Sequence, residues 1–216
     1  MSNIWKSAKL DFSLVKPYVK TICFTMVLPV VFAAINRSLL TGISFAMCFI
    51  AMTTGYTFSI TEKNSMERLY GILPIRKSDM VIGRYIFIII MGLTALIFSL
   101  IAHPVILTIL GESISIFDYI SAAVTGIFLF ALYTVFQLPG YYRFGSIKGR
   151  VFMYIPVAGF LITLLLITKS PVGESKLLFT VINSPILLML LAVIFVIAMY
   201  IVSILVSIKI LKKKEM

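Results

Sequence analysis

Uncharged polar side chains inside long apolar runs are the residues of this sequence whose types and positions suggest chemistry. Within a bilayer, hydroxyl, imidazole and carboxamide groups form hydrogen bonds with a neighbouring helix or with an amphipathic molecule that passes between helices. Five such residues are candidates for lining a substrate path: Thr53, Tyr56, His103, Tyr133 and Gln137. The alternative is that they only join helices, and His103, beside Pro104, then bonds a carbonyl that the proline leaves free.

Signatures of soluble enzymes are missing from the sequence, which contains no phosphate-binding P-loop and no HExxH, GxSxG or CxxC pattern. The interiors of the predicted spans contain no Asp, Glu, Lys or Arg, so paired groups for an intramembrane enzyme or for ion-coupled transport are also missing. Cys23 and Cys48 both lie in apolar runs, where they serve packing. We therefore predict no catalytic residue, no metal site and no cofactor on this chain, and an external energy source.

The elements that must position the polar groups are helices in a membrane. The chain has 216 residues, of which 61% are hydrophobic and 12% charged, with a mean hydropathy of +1.10, and a spanning helix needs roughly 20 mostly apolar residues. The sequence predicts an all-α polytopic membrane protein, with residues 1–216 forming a single transmembrane domain. Six spans are expected: 19–36, 39–60, 81–110, 119–138, 151–168 and 184–208.

Positive charge is segregated between alternate loops. Of the 19 lysines and arginines, the loops on one side of the predicted bundle carry only Arg37, Lys169 and Lys176. Because positively charged loops stay in the cytoplasm, both termini and the two basic loops are predicted to be cytoplasmic. The net charge of +11 thus reports topology, and with no polar domain to carry a basic surface we expect no nucleic-acid partner.

Residues 1–18 precede the first predicted span and have an amphipathic pattern. One helical face carries Ile4, Trp5, Ala8, Phe12 and Val15, and lysines lie beside it. This pattern predicts a helix that lies in the interfacial plane of the membrane, with Pro17 turning the chain into the bilayer. A disordered polar leader is the alternative.

Segment 61–80, between the second and third spans, predicts a second amphipathic helix. Its apolar residues recur at i, i+3, i+4 and i+7: Met66, Leu69, Tyr70 and Leu73. Pro74 then ends the helix. Such a helix either lies on the membrane or inserts into a groove on a cytoplasmic partner.

The sequence resembles the permease subunits of ABC-2 type exporters, in particular the small six-helix bacterial members. The matching motifs are Glu62-Lys63-Asn64, Leu73-Pro74-Ile75, Gly83-Arg84-Tyr85, Tyr142-Arg143-Phe144-Gly145 and Lys148-Gly149-Arg150. The resemblance implies that 61–80 is the coupling loop that docks on a cytoplasmic ATPase. It also implies that the docking residues are Glu62, Met66, Glu67, Arg68, Leu69, Leu73 and Pro74.

The resemblance further implies a permease of an ATP-driven exporter in the bacterial cytoplasmic membrane, with ATP and Mg bound by the partner subunit. A second permease copy or a paralogue would complete the path, and outer half-helices would lie within 171–184. Apolar walls favour an amphipathic substrate such as an antimicrobial or signalling peptide, a lipid or a drug. The alternative function is a non-transporting membrane scaffold or immunity protein.

Overall fold

A computed structural model describes residues 3–64, 66, 75–159 and 185–214. The α-helices within these ranges are α1 Asn3–Val15, α2 Val19–Thr25, α3 Val27–Asn36, α4 Leu39–Thr53, α5 Gly55–Lys63, α6 Lys77–Ile109, α7 Ile116–Lys148 and α8 Pro185–Lys213. Short 3-10 turns at Lys16–Tyr18 and Gly149–Met153 follow α1 and α7, and residues 154–159 are again α-helical.

Five helical stretches within the described residues are long and apolar enough to cross a membrane. They are Asn3–Asn36, Leu39–Lys63, Lys77–Ile109, Ile116–Gly159 and Val193–Lys213. The prediction of an all-helical, multi-pass membrane protein is therefore confirmed. The count of six spans stays a prediction, because only residues 151–159 of the expected fifth span, 151–168, are described. The half-helices expected within 171–184 lie entirely outside the described residues.

Helix α7 lies at the centre of the bundle, where α4 and α8 pack along it, and α6 packs against α1, α3, α4 and α8. Small residues allow the close approaches. A Cβ atom on Gly126 of α7 would lie 2.8 Å from Ile43 Cγ2 and 3.0 Å from Met47 Cγ of α4. Because no hydrophobic force holds apolar helices together in lipid, such close packing is a main source of their association.

Gly42 makes the corresponding approach between α4, α3 and α6. A Cβ atom there would lie 2.5 Å from both Ala33 Cβ and His103 Cδ2, so we expect Gly42→Ala to lower stability by about 1–3 kcal/mol through overpacking. The midpoint of thermal unfolding in detergent measures this loss. Gly159→Ala is the matched control, because no atom of the described residues lies within 4 Å of its added Cβ, and an equal midpoint for the two variants would contradict the packing explanation.

Helix α1 packs against α6 and α5, and its predicted apolar stripe is divided between two environments. Ala8 and Val15 are buried against the bundle, whereas Trp5 and Phe12 are 41% and 57% exposed. The approach is close, because a Cβ atom on Gly83 of α6 would lie 2.7 Å from the carbonyl oxygen of Ile4. The face that α1 buries is partly polar, since Ser7 and Asp11 are buried with Ala8 and Val15, and the interfacial position of this helix stays a prediction.

Candidate functional site

A buried ion pair joins α1 to α6. Arg84 donates from Nε to Asp11 Oδ2 at 3.1 Å and from Nη2 to Asp11 Oδ1 at 2.9 Å. The side chains are only 8% and 2% exposed. This two-point geometry fixes the orientation of both helices as well as their distance, because the planar guanidinium matches the carboxylate.

The same guanidinium reaches the end of α5 and the end of α7. Its Nη2 also donates to Thr61 Oγ1 at 3.3 Å, and its Cζ lies 4.6 Å from the ring centroid of Phe58 and 5.9 Å from that of Tyr142. A cation over an aromatic face is stabilised by the ring quadrupole. Asp11, Arg84, Thr61, Phe58 and Tyr142, the Arg84 cluster, therefore hold four helices at one point.

The sequence analysis used Arg84 only as a positive charge on the cytoplasmic side and as part of the Gly83-Arg84-Tyr85 motif, and it left Asp11 without a role. The structure instead buries both side chains. The partners lie 73 residues apart, so no local sequence pattern predicts that they form a pair. The one available signal was the presence of a lone acidic residue in an otherwise basic amphipathic segment.

Glu62, the residue after Thr61, contacts a different part of the bundle. The Ser146 backbone N–H donates to Glu62 Oε1 at 2.7 Å, and the Ser146 hydroxyl donates to Oε2 at 2.5 Å. Ser146 follows Gly145, whose φ of 79° and ψ of −178° interrupt the helical backbone of α7. The Glu62 carboxylate thus caps the helical segment that begins at Ser146, a position where negative charge is favourable. We call Glu62, Gly145 and Ser146 the Glu62 clamp.

The Arg84 cluster and the Glu62 clamp border one small cavity of about 50 Å³. Met80, Leu211 and Lys214 also line it, so the last helix reaches the same end of the bundle. There the Lys77 ammonium donates to the Lys214 carbonyl at 3.1 Å. All five apolar stretches therefore meet at the described ends of segment 61–80, the predicted docking segment.

The predicted docking residues are only partly described. Glu62 lies in the clamp, and Met66 is half-buried. Glu67, Arg68, Leu69, Leu73 and Pro74 lie outside the described residues. Their docking role stays a prediction.

Two of the five predicted path residues line a common pocket. This cavity of about 330 Å³, the Arg150 pocket, is lined by Thr25, Phe49, Met52, Thr53, Gly55, Tyr56, Tyr141, Arg150 and Met153. Tyr56 is exposed, and Thr53 is buried with its hydroxyl donating to the Ile50 carbonyl at 2.7 Å. The sequence analysis missed Arg150 as a lining residue, because it used this arginine only for topology and as part of the Lys148-Gly149-Arg150 motif.

The other three predicted path residues lie between helices. His103 is fully buried, with Nδ1 2.8 Å from the Ser99 carbonyl oxygen, Gln137 lies 3.3 Å from the Thr54 hydroxyl, and the Tyr133 side chain contacts Cys48. The contacts of Gln137 and Tyr133 fit the alternative that such groups join helices, whereas His103 bonds a carbonyl of its own helix, α6. Whether any of the three also meets substrate stays a prediction.

A further hydrogen-bonded group joins the last helix to the bundle. The Tyr85 hydroxyl lies 2.7 Å from Ser203 Oγ and 2.9 Å from Ser207 Oγ, and the Ser203 hydroxyl donates to the Val135 carbonyl at 2.7 Å. Tyr85 follows Arg84 on α6, so two adjacent residues connect this helix to α1 on one side and to α8 on the other. This end of α6 is therefore hydrogen-bonded to both neighbouring helices.

These groups hold neighbouring helices in position relative to one another. No group of three or more His, Cys, Asp or Glu side chains that would suit a metal ion occurs in the described parts of the chain. The carboxylates of Asp11 and Glu62 are both engaged with neighbouring helices. What the arrangement offers is a mechanically connected end of a helix bundle.

Comparison with known proteins agrees with this architecture. The family model described as ABC-2 family transporter protein matches residues 8–212. No curated protein and no solved structure matches the chain. Since the match covers nearly the whole bundle, including both the Arg84 cluster and the Glu62 clamp, this chain belongs to the ABC-2 family of membrane transporter proteins.

Proposed function

We propose that this chain is the permease subunit of an ATP-driven exporter and that it receives force through segment 61–80. The observation that carries the proposal is the position of Thr61 and Glu62 at the end of α5. These adjacent residues contact Arg84 on α6 and Ser146 after the kink in α7. A displacement of the segment that follows α5 would therefore be transmitted to several spans at once.

The partner in this proposal is a cytoplasmic ABC ATPase, which binds ATP and Mg. Membership of the ABC-2 family supports association with such a component, and the basic loops support a cytoplasmic position for 61–80 and for both termini. A second permease, either another copy or a paralogue, would complete the path. Closure of the ATPase subunits on nucleotide would then rock the helices of both permeases, in the bacterial cytoplasmic membrane.

The proposed substrate is amphipathic, such as a peptide, a lipid or a drug. The Arg150 pocket supports this choice, because it combines apolar side chains from Phe49 and Met52 with a guanidinium and the phenol of Tyr56. An apolar wall with a few convergent polar groups is typical of binding sites for molecules with one polar end.

The proposal is tested by purifying the chain from its own host membrane. We expect a nucleotide-hydrolysing ABC protein to copurify, and we expect the ATPase activity of the reconstituted pair to rise on addition of amphipathic peptides, lipids or drugs. A preparation that lacks an ATPase and moves no such compound would favour the scaffold or immunity function instead.

Arg150→Gln should weaken transport of an acidic amphipathic peptide, because the guanidinium that would donate to a carboxylate of the peptide is removed from the pocket. We expect the half-saturating concentration of that peptide to rise by about tenfold, with a smaller change for a neutral peptide of the same length. Uptake into inverted vesicles measures both. Arg143→Gln, which removes an exposed arginine that is not among the lining residues of the pocket, is the control, and equal effects of the two substitutions would contradict this role of Arg150.

A further inference from the structure

An apolar groove of about 320 Å³ lies on the outside of the bundle, between the first apolar stretch and α6. Its walls include Phe12, Ile22, Cys23, Phe87 and Phe98. The rings of Phe12 and Phe87 meet edge to face with centroids 6.5 Å apart. Since Phe12 follows Asp11 and Phe87 lies one helical turn from Arg84, this part of the groove is next to the Arg84 cluster.

The groove offers almost nothing to a polar ligand. Thr94 is the hydroxyl residue among its described lining residues, and its hydroxyl already donates to the Met91 carbonyl at 2.8 Å. Cys23 contributes a weakly polar thiol, and the other lining residues are apolar. The part of a ligand that fits here is a hydrocarbon chain.

Two exposed lysines directly follow lining residues of the groove in the sequence. Lys16 follows the lining residue Val15, Lys20 follows the lining residue Val19, and the two lysines are one helical turn apart and exposed. The ion pairs of the described residues are Arg84 with Asp11 and Arg37 with Glu112, so neither lysine is neutralised there. A cationic rim next to a hydrocarbon groove matches a molecule with an anionic head and an apolar tail.

We propose that the groove holds an acyl chain of an anionic phospholipid, with Lys16 and Lys20 at its phosphate. Basic pockets between helices near the membrane surface bind anionic head groups in this way. A second copy of this chain is disfavoured as the occupant, because it would bring the same two lysines toward each other. The proposal is independent of the ATPase, since it concerns the resting permease in its membrane.

The experiment uses the full chain carrying Cys48→Ala, with a bimane fluorophore on Cys23, in phosphatidylcholine vesicles. Brominated phosphatidylglycerol or brominated phosphatidylcholine is added at equal mole fraction, so that the two lipids can be compared. Because bromine quenches only at short range, the loss of fluorescence reports the lipid next to Cys23. We expect the anionic lipid to be enriched about fivefold at this position over the zwitterionic lipid. Lys16→Gln with Lys20→Gln should abolish the enrichment.

The matched control moves the fluorophore by one residue. Phe24 is 72% exposed and is not a lining residue of the groove, so Phe24→Cys in a chain with Cys23→Ser and Cys48→Ala should report no preference between the lipids. Ala95→Phe, which adds a ring to the groove wall, should remove the preference at Cys23. Equal enrichment at both positions, persistence of the enrichment without the lysines, or no quenching of the Cys23 fluorophore by either lipid would overturn the proposal.

Discussion

Replacing Arg84 by methionine should lower the free energy of unfolding by about 3–5 kcal/mol. The substitution keeps the apolar stem of the side chain and removes the guanidinium. Asp11, with its side chain 2% exposed, is then left as a buried carboxylate without its cation, and the desolvation of that charge is no longer offset. Thermal unfolding in detergent, followed by size-exclusion fluorescence, measures the loss together with the yield of folded protein.

Asp11→Asn combined with Arg84→Met should recover most of that stability, because no unpaired charge remains. Arg76→Met is the control, since Arg76 immediately precedes α6 and is exposed, and it should change stability by less than about 0.5 kcal/mol. Equal stability of Arg84→Met and Arg76→Met would show that the ion pair contributes nothing. A double variant as unstable as Arg84→Met would assign the loss to the cation–aromatic contacts with Phe58 and Tyr142.

The spans could be predicted from sequence because lipid imposes one strict condition on the backbone. Every N–H and C=O in the hydrocarbon must bond within its own helix, so long apolar runs such as 81–110 have a single solution. The structure has α6 at Lys77–Ile109 and α4 beginning at Leu39, which is close to the prediction. The positions of the apolar runs are therefore enough to predict where these helices lie in the sequence.

The polar contacts could not be predicted because they depend on which helices become neighbours. Asp11 and Arg84 are 73 residues apart, and Glu62 and Ser146 are 84 apart. Glu62 was predicted to contact an external partner, yet both of its carboxylate oxygens accept hydrogen bonds from Ser146. A local pattern identifies a functional segment, but it does not say which atoms of that segment face inward.

The two polar groups act on different mechanical elements. The Arg84 cluster joins elements that pack side by side, whereas the Glu62 clamp acts at the Gly145 interruption, where the direction of the chain changes. A contact at an interruption is better placed to convert a push into a rotation, because the backbone on its two sides is not one continuous helix. Under the proposed function, loss of the cluster should therefore cost stability first, and loss of the clamp should cost coupling first.

Glu62→Ala should leave the permease folded and its ATPase partner bound, and it should reduce substrate-stimulated ATP hydrolysis by about tenfold. Tenfold corresponds to about 1.4 kcal/mol, close to the low end of what one charge-assisted hydrogen bond contributes, because Glu62 is an exposed residue and water replaces part of its contacts. Ser146→Ala removes only the hydroxyl donor and keeps the backbone donor, so its effect should be smaller. The ATPase rate of the reconstituted pair, with and without substrate, measures the coupling.

Gly145→Ala should disturb the same contact between Glu62 and Ser146, because it changes the residue next to Ser146. Its Cβ atom would lie 2.5 Å from Glu62 Oε1, and its φ of 79° is a left-handed conformation that alanine adopts only under strain. We expect a stability loss of about 1–3 kcal/mol together with the same uncoupling that we expect for Glu62→Ala. Lys63→Ala, one residue after Glu62 and exposed, should retain normal coupling. Full coupling in both Glu62→Ala and Gly145→Ala would remove the clamp from the path of force, and an unchanged phenotype with no ATPase in the preparation would be the result expected of a scaffold.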